Sequence, residues 1–239
     1  MINKLTLPRT FKDNSKDGKY KKLEGLPKVS YSQLGSWKSL QYRPGYIKQY
    51  FAGIELPSGI YALKGSSAGS YIEGRGTNDF SCHEEYKHLL NDEERTFLDS
   101  LDYPENSVYE DYIVVDMGDF VIEGYADRCT YGDTLTTLDY KTGSIEKKTA
   151  EYASPEYRQT RLYSYQKELE GHTIGDCGVL LLDRAGNGFA KSPLRLTGKS
   201  LYIPTPYDKL ETEAWLDGEV RKIVREISDL YTQYLKFFD

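Results

Sequence analysis

"VYEDYIVVDMGDFVIEGYADRCTYGDTLTTLDYKTG", residues 108–143, decides the fold. Its apolar residues recur at every second position and the turn triplets "MGD" and "YGD" interrupt them, which predicts three strands over about 107–116, 119–129 and 134–141. Turns that short make the strands antiparallel neighbours. Downstream, "CGVLLLDR" at 177–184 is a continuous apolar run entered from a helix, so it reads as a buried strand parallel to its neighbour. Between them, "SPEYRQTRLYSYQKELEG" predicts a helix capped by Ser154, with Pro155 at its first position and Gly171 as its stop.

Upstream of the meander the period is helical. Leu34, Trp37 and Leu40 recur at three-residue steps after a Ser30 or Ser32 cap, and Pro44 stops or restarts the helix. "PGYIKQYFAG" predicts a short helix ending at Gly53, 66–76 a helix weakened by glycines, and "CHEEYKHLLNDEERTFLDSL" one amphipathic helix. From Asp208 onward, Val220, Ile223, Val224, Ile227, Leu230, Tyr231 and Tyr234 trace one face of a long closing helix. The expected class is α/β: a mixed sheet, antiparallel meander plus a parallel strand, flanked by helices.

A chain of 239 residues suits one full-sized domain. Residues 1–28 carry Lys4, Arg9, Lys12, Lys16, Lys19, Lys21, Lys22 and Lys28 against Asp13, Asp17 and Glu24, and are read as a mobile or loosely docked basic arm. Residues 29–239 are the expected single domain. The formal charge of −6 argues against a uniformly basic nucleic-acid binder, yet a local basic surface still suits a polyanion and a magnesium site itself demands carboxylates. Cys82, Cys129 and Cys177 are odd in number and far apart, which excludes a disulfide framework and a zinc or iron–sulfur cage of four thiolates. No apolar stretch approaches the roughly 20 residues that cross a bilayer, and the N-terminus has no signal-peptide pattern, so a cytoplasmic protein with no membrane partner is expected.

Asp139 and Lys141 sit two residues apart in the third strand and therefore share a face. Across the turn, Glu123, Tyr125 and Asp127 alternate in the second strand and project to the same side. Two readings stay open. Asp139 and Lys141 form a structural ion pair, or Asp127 and Asp139, with a backbone carbonyl, offer the oxygen ligands a hard cation prefers, and Lys141 serves the attacking water and a phosphate. Gln159 and Tyr163, one helical turn apart, would support such a site.

"EGYADR", "TLDYKTG" and "QTRLY", in that order, resemble the G-x-x-D-R, (V/L)-D-Y-K-T-G and Q-x-x-x-Y motifs of the PD-(D/E)XK nuclease superfamily, in its RecB-type or lambda-exonuclease-like branch. "VSYSQLGSW" resembles the helix that opens these domains in phage and repair nucleases. The resemblance implies a restriction-endonuclease-like core. It also implies that Asp127, Asp139 and the Tyr140 carbonyl bind Mg2+ or Mn2+, that Lys141 is catalytic, and that Gln159 and Tyr163 assist. The family's upstream small-residue helix reads Gly69-Ser70-Tyr71-Ile72-Glu73 here, which puts Glu73 in the ligand position and leaves His83 out of register.

The implied activity is metal-dependent hydrolysis of DNA, with an exonuclease of phage or bacterial recombination, repair or replication as the setting. The implied partners are DNA, as single strands or duplex ends, and a helicase or recombinase. The chain departs from iron–sulfur members in lacking their cysteines, and it carries no helicase phosphate loop. Lys147, Lys148, Arg158, Arg161 and the basic arm are the candidate phosphate contacts. A catalytically weak DNA-binding accessory protein of the same fold is the alternative.

Overall fold

The structure, a computed structural model, describes residues 5–187 and 193–237; Lys4 of the basic stretch lies outside them. The described chain forms a mixed, open six-strand sheet flanked by helices, hydrogen-bonded in the order β1-β3-β4-β5-β6 with β2 also paired to β3. The strands are β1 (Lys28–Val29), β2 (Ser107–Asp116), β3 (Val121–Thr130), β4 (Leu135–Gly143), β5 (Ile174–Ala185) and β6 (Arg195–Pro204). β3 and β4 run antiparallel, and β4 and β5 run parallel with Asp139 beside Val179. None of the described helices is long and apolar enough to cross a membrane.

Internal packing divides the chain into two compact units. The first gathers the residues up to Pro57, Tyr112–Tyr125 and the stretch from Lys209 onward. Its helices are α1 (Tyr31–Lys38), α2 (Arg43–Tyr46), which continues as a π-helical turn over Ile47–Phe51, α7 (Lys209–Trp215) and α8 (Arg221–Leu235). Ser30 caps α1 in a full capping box with Gln33, which fixes its start. Leu40 falls beyond the end of α1 and is 75% exposed, so the three-residue step that enrolled it ran past the helix.

The stretch before β1 also differs from a loose arm. Phe11, Tyr20 and Leu23 are buried against Val114 and Val121, and backbone bonds from Phe11 to Leu26 and from Lys28 to Arg9 tie its ends. Lys12, Lys16, Lys19, Lys21 and Lys22 are exposed while its few apolar side chains hold it down, and a count of charges does not see the latter. Glu123, expected on the same side of its strand as Asp127, belongs here: it pairs with Lys28 and accepts from Tyr112 Oη at 2.8 Å.

The second unit gathers Ser58–Asp111 and Ala126–Asp208. Its helices are α3 (Ile60–Thr77), α4 (Asp92–Asp99), α5 (Ile145–Tyr152) and α6 (Gln159–Leu169). β5 is buried on both faces, with Val179 and Leu181 in one apolar cluster and Leu182 in another, which is why its sequence is a continuous apolar run. The helix expected over 82–101 is broken instead. Short turns at Ser81–His83 and Lys87–Leu89 precede α4, and the Asn91–Glu94 capping box starts a new helix at that point. Likewise the helix expected from Ser154 begins only at Gln159, with the separate α5 ahead of it.

Candidate functional site

The site residues all belong to the second unit. β3 and β4 are laddered through Arg128 and Leu138, and one step further the ladder gives way. There the Asp127 carboxylate, not its backbone, accepts the Tyr140 N–H at 2.6 Å. β4 meanwhile continues its pairing with β5 as far as Gly143. The strands therefore part at Asp127, Asp139 and Lys141, and a cavity of about 450 Å³ opens there, lined by Asp127, Tyr140 and Lys141 but not by the fully buried Asp139.

The opposite wall of the cavity is α3. Gly65, Ser66 and Gly69 line it with almost no side chain, and a Cβ built on Gly69 would meet nothing within 4 Å. One turn on, Glu73 lines the same cavity, as do Glu110, Asp127 and Lys141. Cys82, whose Sγ donates to the Ser70 carbonyl at 3.5 Å, has its thiol pushed up to about 11, first by burial and then by the nearby Glu73 carboxylate. α3 ends at Asn78 in the left-handed conformation, and Gly76 is required because a Cβ there would lie 2.2 Å from the Tyr109 ring.

Asp139 is fully buried. Its Oδ2 pairs with Lys141 Nζ at 2.6 Å and accepts from Tyr157 Oη at 2.8 Å, while its Oδ1 is buried with no hydrogen-bond partner among the described residues. Burial opposes charge on Lys141, but the carboxylates of Asp139 and Asp127 outweigh it and hold the ammonium above the usual lysine value. Asp127 is raised well above the ordinary carboxylate range by burial and then by the negative charge of Asp139. Glu110 is pushed up to about 7 by the protein around it and by Glu73 and Asp139. Burial and mutual repulsion thus push Asp127 and Glu110 toward their protonated forms, while Lys141 stays charged against Asp139.

Gln159 and Tyr163 stand as their spacing predicts, Gln159 Nε2 donating to Tyr163 Oη at 2.7 Å, with Gln159 Oε1 3.1 Å from Tyr157 Oη. His83 does not line the cavity; it is buried in its turn, bonded to Ser70 Oγ at 2.9 Å, and burial lowers its pKa. The basic candidates diverge. Lys147 is exposed on α5, Lys148 pairs with Glu151 at 2.5 Å, and Arg158 is half-buried. Arg161 is buried and donates to the Pro155 carbonyl at 3.2 Å, which removes it from the surface.

No family model matches the chain, and no curated protein matches it at a significant level.

Two residues escaped the reading of the sequence. Glu110 comes from β2, whose Ser107 Oγ lies 2.9 Å from Thr130 Oγ1 of β3. Counting along the hairpin from that pair brings Glu110 level with Asp127, so the meander alone could have found it. Tyr157 was hidden by the misplaced start of α6, which put it inside a helix. Among the described residues no three His, Cys, Asp or Glu side chains already form a ligand cage. The donor set nonetheless suits a hard cation: the carboxylates it offers are oxygen donors, one buried carboxylate oxygen is unpartnered, and the repulsion that raises Asp127 is one a cation would relieve.

Proposed function

We propose that the second unit carries the active site of a Mg2+- or Mn2+-dependent deoxyribonuclease with a restriction-endonuclease-like core. The observation that carries this reading is the Asp139 carboxylate, fully buried, paired with Lys141 through one oxygen and bare at the other. A buried unsatisfied acceptor costs roughly 1–3 kcal/mol, and a purely structural ion pair has no need of one. Asp127 and Glu73, which line the cavity, would hold the cation with the buried Asp139 and the Tyr140 carbonyl, and Glu110 lines the same cavity. A bound Mg2+ or Mn2+ supplies Lewis acidity toward a phosphate oxygen and lowers the pKa of water.

The chain's own residues do the rest. Lys141, held as an ammonium, donates toward the phosphate and offsets the charge that builds on it. From α6, Gln159 holds Tyr163 and lies beside the Tyr157 hydroxyl that donates to Asp139. The bare glycine face of α3 leaves room for a sugar–phosphate backbone. The basic residues before β1, with Lys147, supply phosphate contacts that carry no sequence preference.

The test is a gel assay of end-labelled linear and circular DNA, single- and double-stranded, with Mg2+, Mn2+ or EDTA, comparing the native chain with Lys141→Ala. Metal-dependent cleavage lost in the variant is the expected result, and degradation confined to linear DNA identifies an exonuclease. Binding without cleavage of any substrate replaces this reading with a DNA-binding accessory role. If neither DNA nor Mn2+ binds, Asp139 and Lys141 are a structural pair.

A further inference from the structure

Asp139 is gripped on one side only. Lys141 Nζ at 2.6 Å and Tyr157 Oη at 2.8 Å both address Oδ2, and Oδ1 has no partner among the described residues. We infer that Tyr157 is a positioning residue for Asp139, anchoring the carboxylate through Oδ2 so that Oδ1 is the oxygen offered to a divalent cation, independently of Lys141. This rests on the cation-site reading above and extends it to a residue outside the three motifs.

The two donors on Oδ2 differ in what they do to an incoming cation. An ammonium carries a full charge, so it neutralises Asp139 and repels a second positive charge. A phenol is neutral. It restrains rotation of the carboxylate while leaving nearly all its charge for the cation, as outer hydrogen bonds to metal-ligating carboxylates do. Lys141 therefore acts as a resident counter-charge that opposes a divalent ion from the other oxygen, and Tyr157 keeps Asp139 aimed as the ion binds.

Tyr157 is itself well fixed for this. Its N–H donates to the Ser154 carbonyl at 3.0 Å, and its ring stands edge-on to Tyr152 with centroids 5.1 Å apart. The ring also packs against the Val179 and Leu181 cluster. Its hydroxyl has one proton and two acceptors in reach, Asp139 Oδ2 and Gln159 Oε1 at 3.1 Å. The charged acceptor is the stronger.

Calorimetric titration with Mn2+ tests this, because the two donors should move affinity in opposite directions. Tyr157→Phe keeps the ring and removes the donor, and should weaken Mn2+ binding about 10-fold or more, the usual effect of losing such an outer partner. Lys141→Met should tighten Mn2+ binding. Asp139→Asn, as the control, should abolish it. A Tyr157→Phe protein that melts lower yet binds Mn2+ as the native chain does would make Tyr157 a packing residue and overturn the inference alone. If the native chain takes up no Mn2+, or Asp139→Asn binds it unchanged, the cation site itself fails and the inference with it.

Discussion

Glu110 combines an unfavourable backbone with an unfavourable charge. Its φ of 48° lies in the left-handed region, uncommon for a residue with a Cβ, and it shares its cavity with Glu73 and Asp127. The charge has a consequence for stability. Without a divalent cation, a carboxyl whose folded pKa is raised to about 7 binds more protons in the folded than in the unfolded chain between its ordinary value near 4.5 and about 7. Stability contributed by the protonated form is therefore present below that window and lost as pH rises through it. Asp127, raised well above the ordinary range, acts in the same direction. Urea midpoints measured in EDTA from pH 5 to 8 should fall with pH, and Glu110→Gln should flatten the fall; a midpoint that rises over this range contradicts the assignment. Lys141 answers to a different balance. Removing it leaves Asp139 buried and uncompensated, which should cost about 2–3 kcal/mol, less than the roughly 3–5 kcal/mol of a fully enclosed pair because the Lys141 side chain keeps 29% exposure. Denaturant unfolding of Lys141→Ala at pH 7 reads this directly.

Among the elements, α3 shows why glycines in one helix are not equivalent. At Gly69 a side chain enters open space, and replacing a helical glycine gains up to about 1 kcal/mol in propensity. At Gly76 it drives into the Tyr109 ring, and overpacking of that kind costs about 1–3 kcal/mol. Gly69→Leu should therefore melt no lower than the native chain while losing Mn2+ uptake and cleavage, because it fills the cavity. Gly76→Ala should melt lower and keep uptake in its folded form. The opposite pattern would place the site elsewhere than beside α3. The same elements show what the sequence made legible. Period-two alternation and short turns located the meander, and the two-residue and four-residue spacings brought Asp139 to Lys141 and Gln159 to Tyr163, because these signals are local. Glu73 was placed through the motif resemblance, and it does line the cavity with Asp127 and Lys141. What was missed depends on partners distant in sequence. β6 reads "RLTGKSLYIP", too polar to announce a strand, and forms because β5 offers it a ladder. α4 starts where Asn91 caps it, although the helical period runs on through that point.

At the scale of the whole chain, a net charge of −6 coexists with a concentration of lysine ahead of β1. Lys12, Lys16, Lys21 and Lys22 are exposed there on a stretch pinned by Phe11, Tyr20 and Leu23, so their charges are carried on a held surface and not on a free tail. A fixed patch loses less conformational entropy on meeting phosphates than a mobile arm does. On the nuclease reading these lysines contribute to affinity without contributing to chemistry. Each phosphate they neutralise adds about 0.9 to the slope of log affinity against log salt on duplex DNA. Replacing all four by glutamine should weaken duplex binding in EDTA and lower the slope by about 2–4, within that per-contact value, while leaving Mn2+ affinity and the Mn2+-induced rise in melting temperature unchanged. Fluorescence anisotropy across a salt series, paired with Mn2+ melts, separates the two. A slope that does not move assigns DNA binding to other residues, and a lost Mn2+ shift would mean that the four substitutions had damaged the fold and not only its surface.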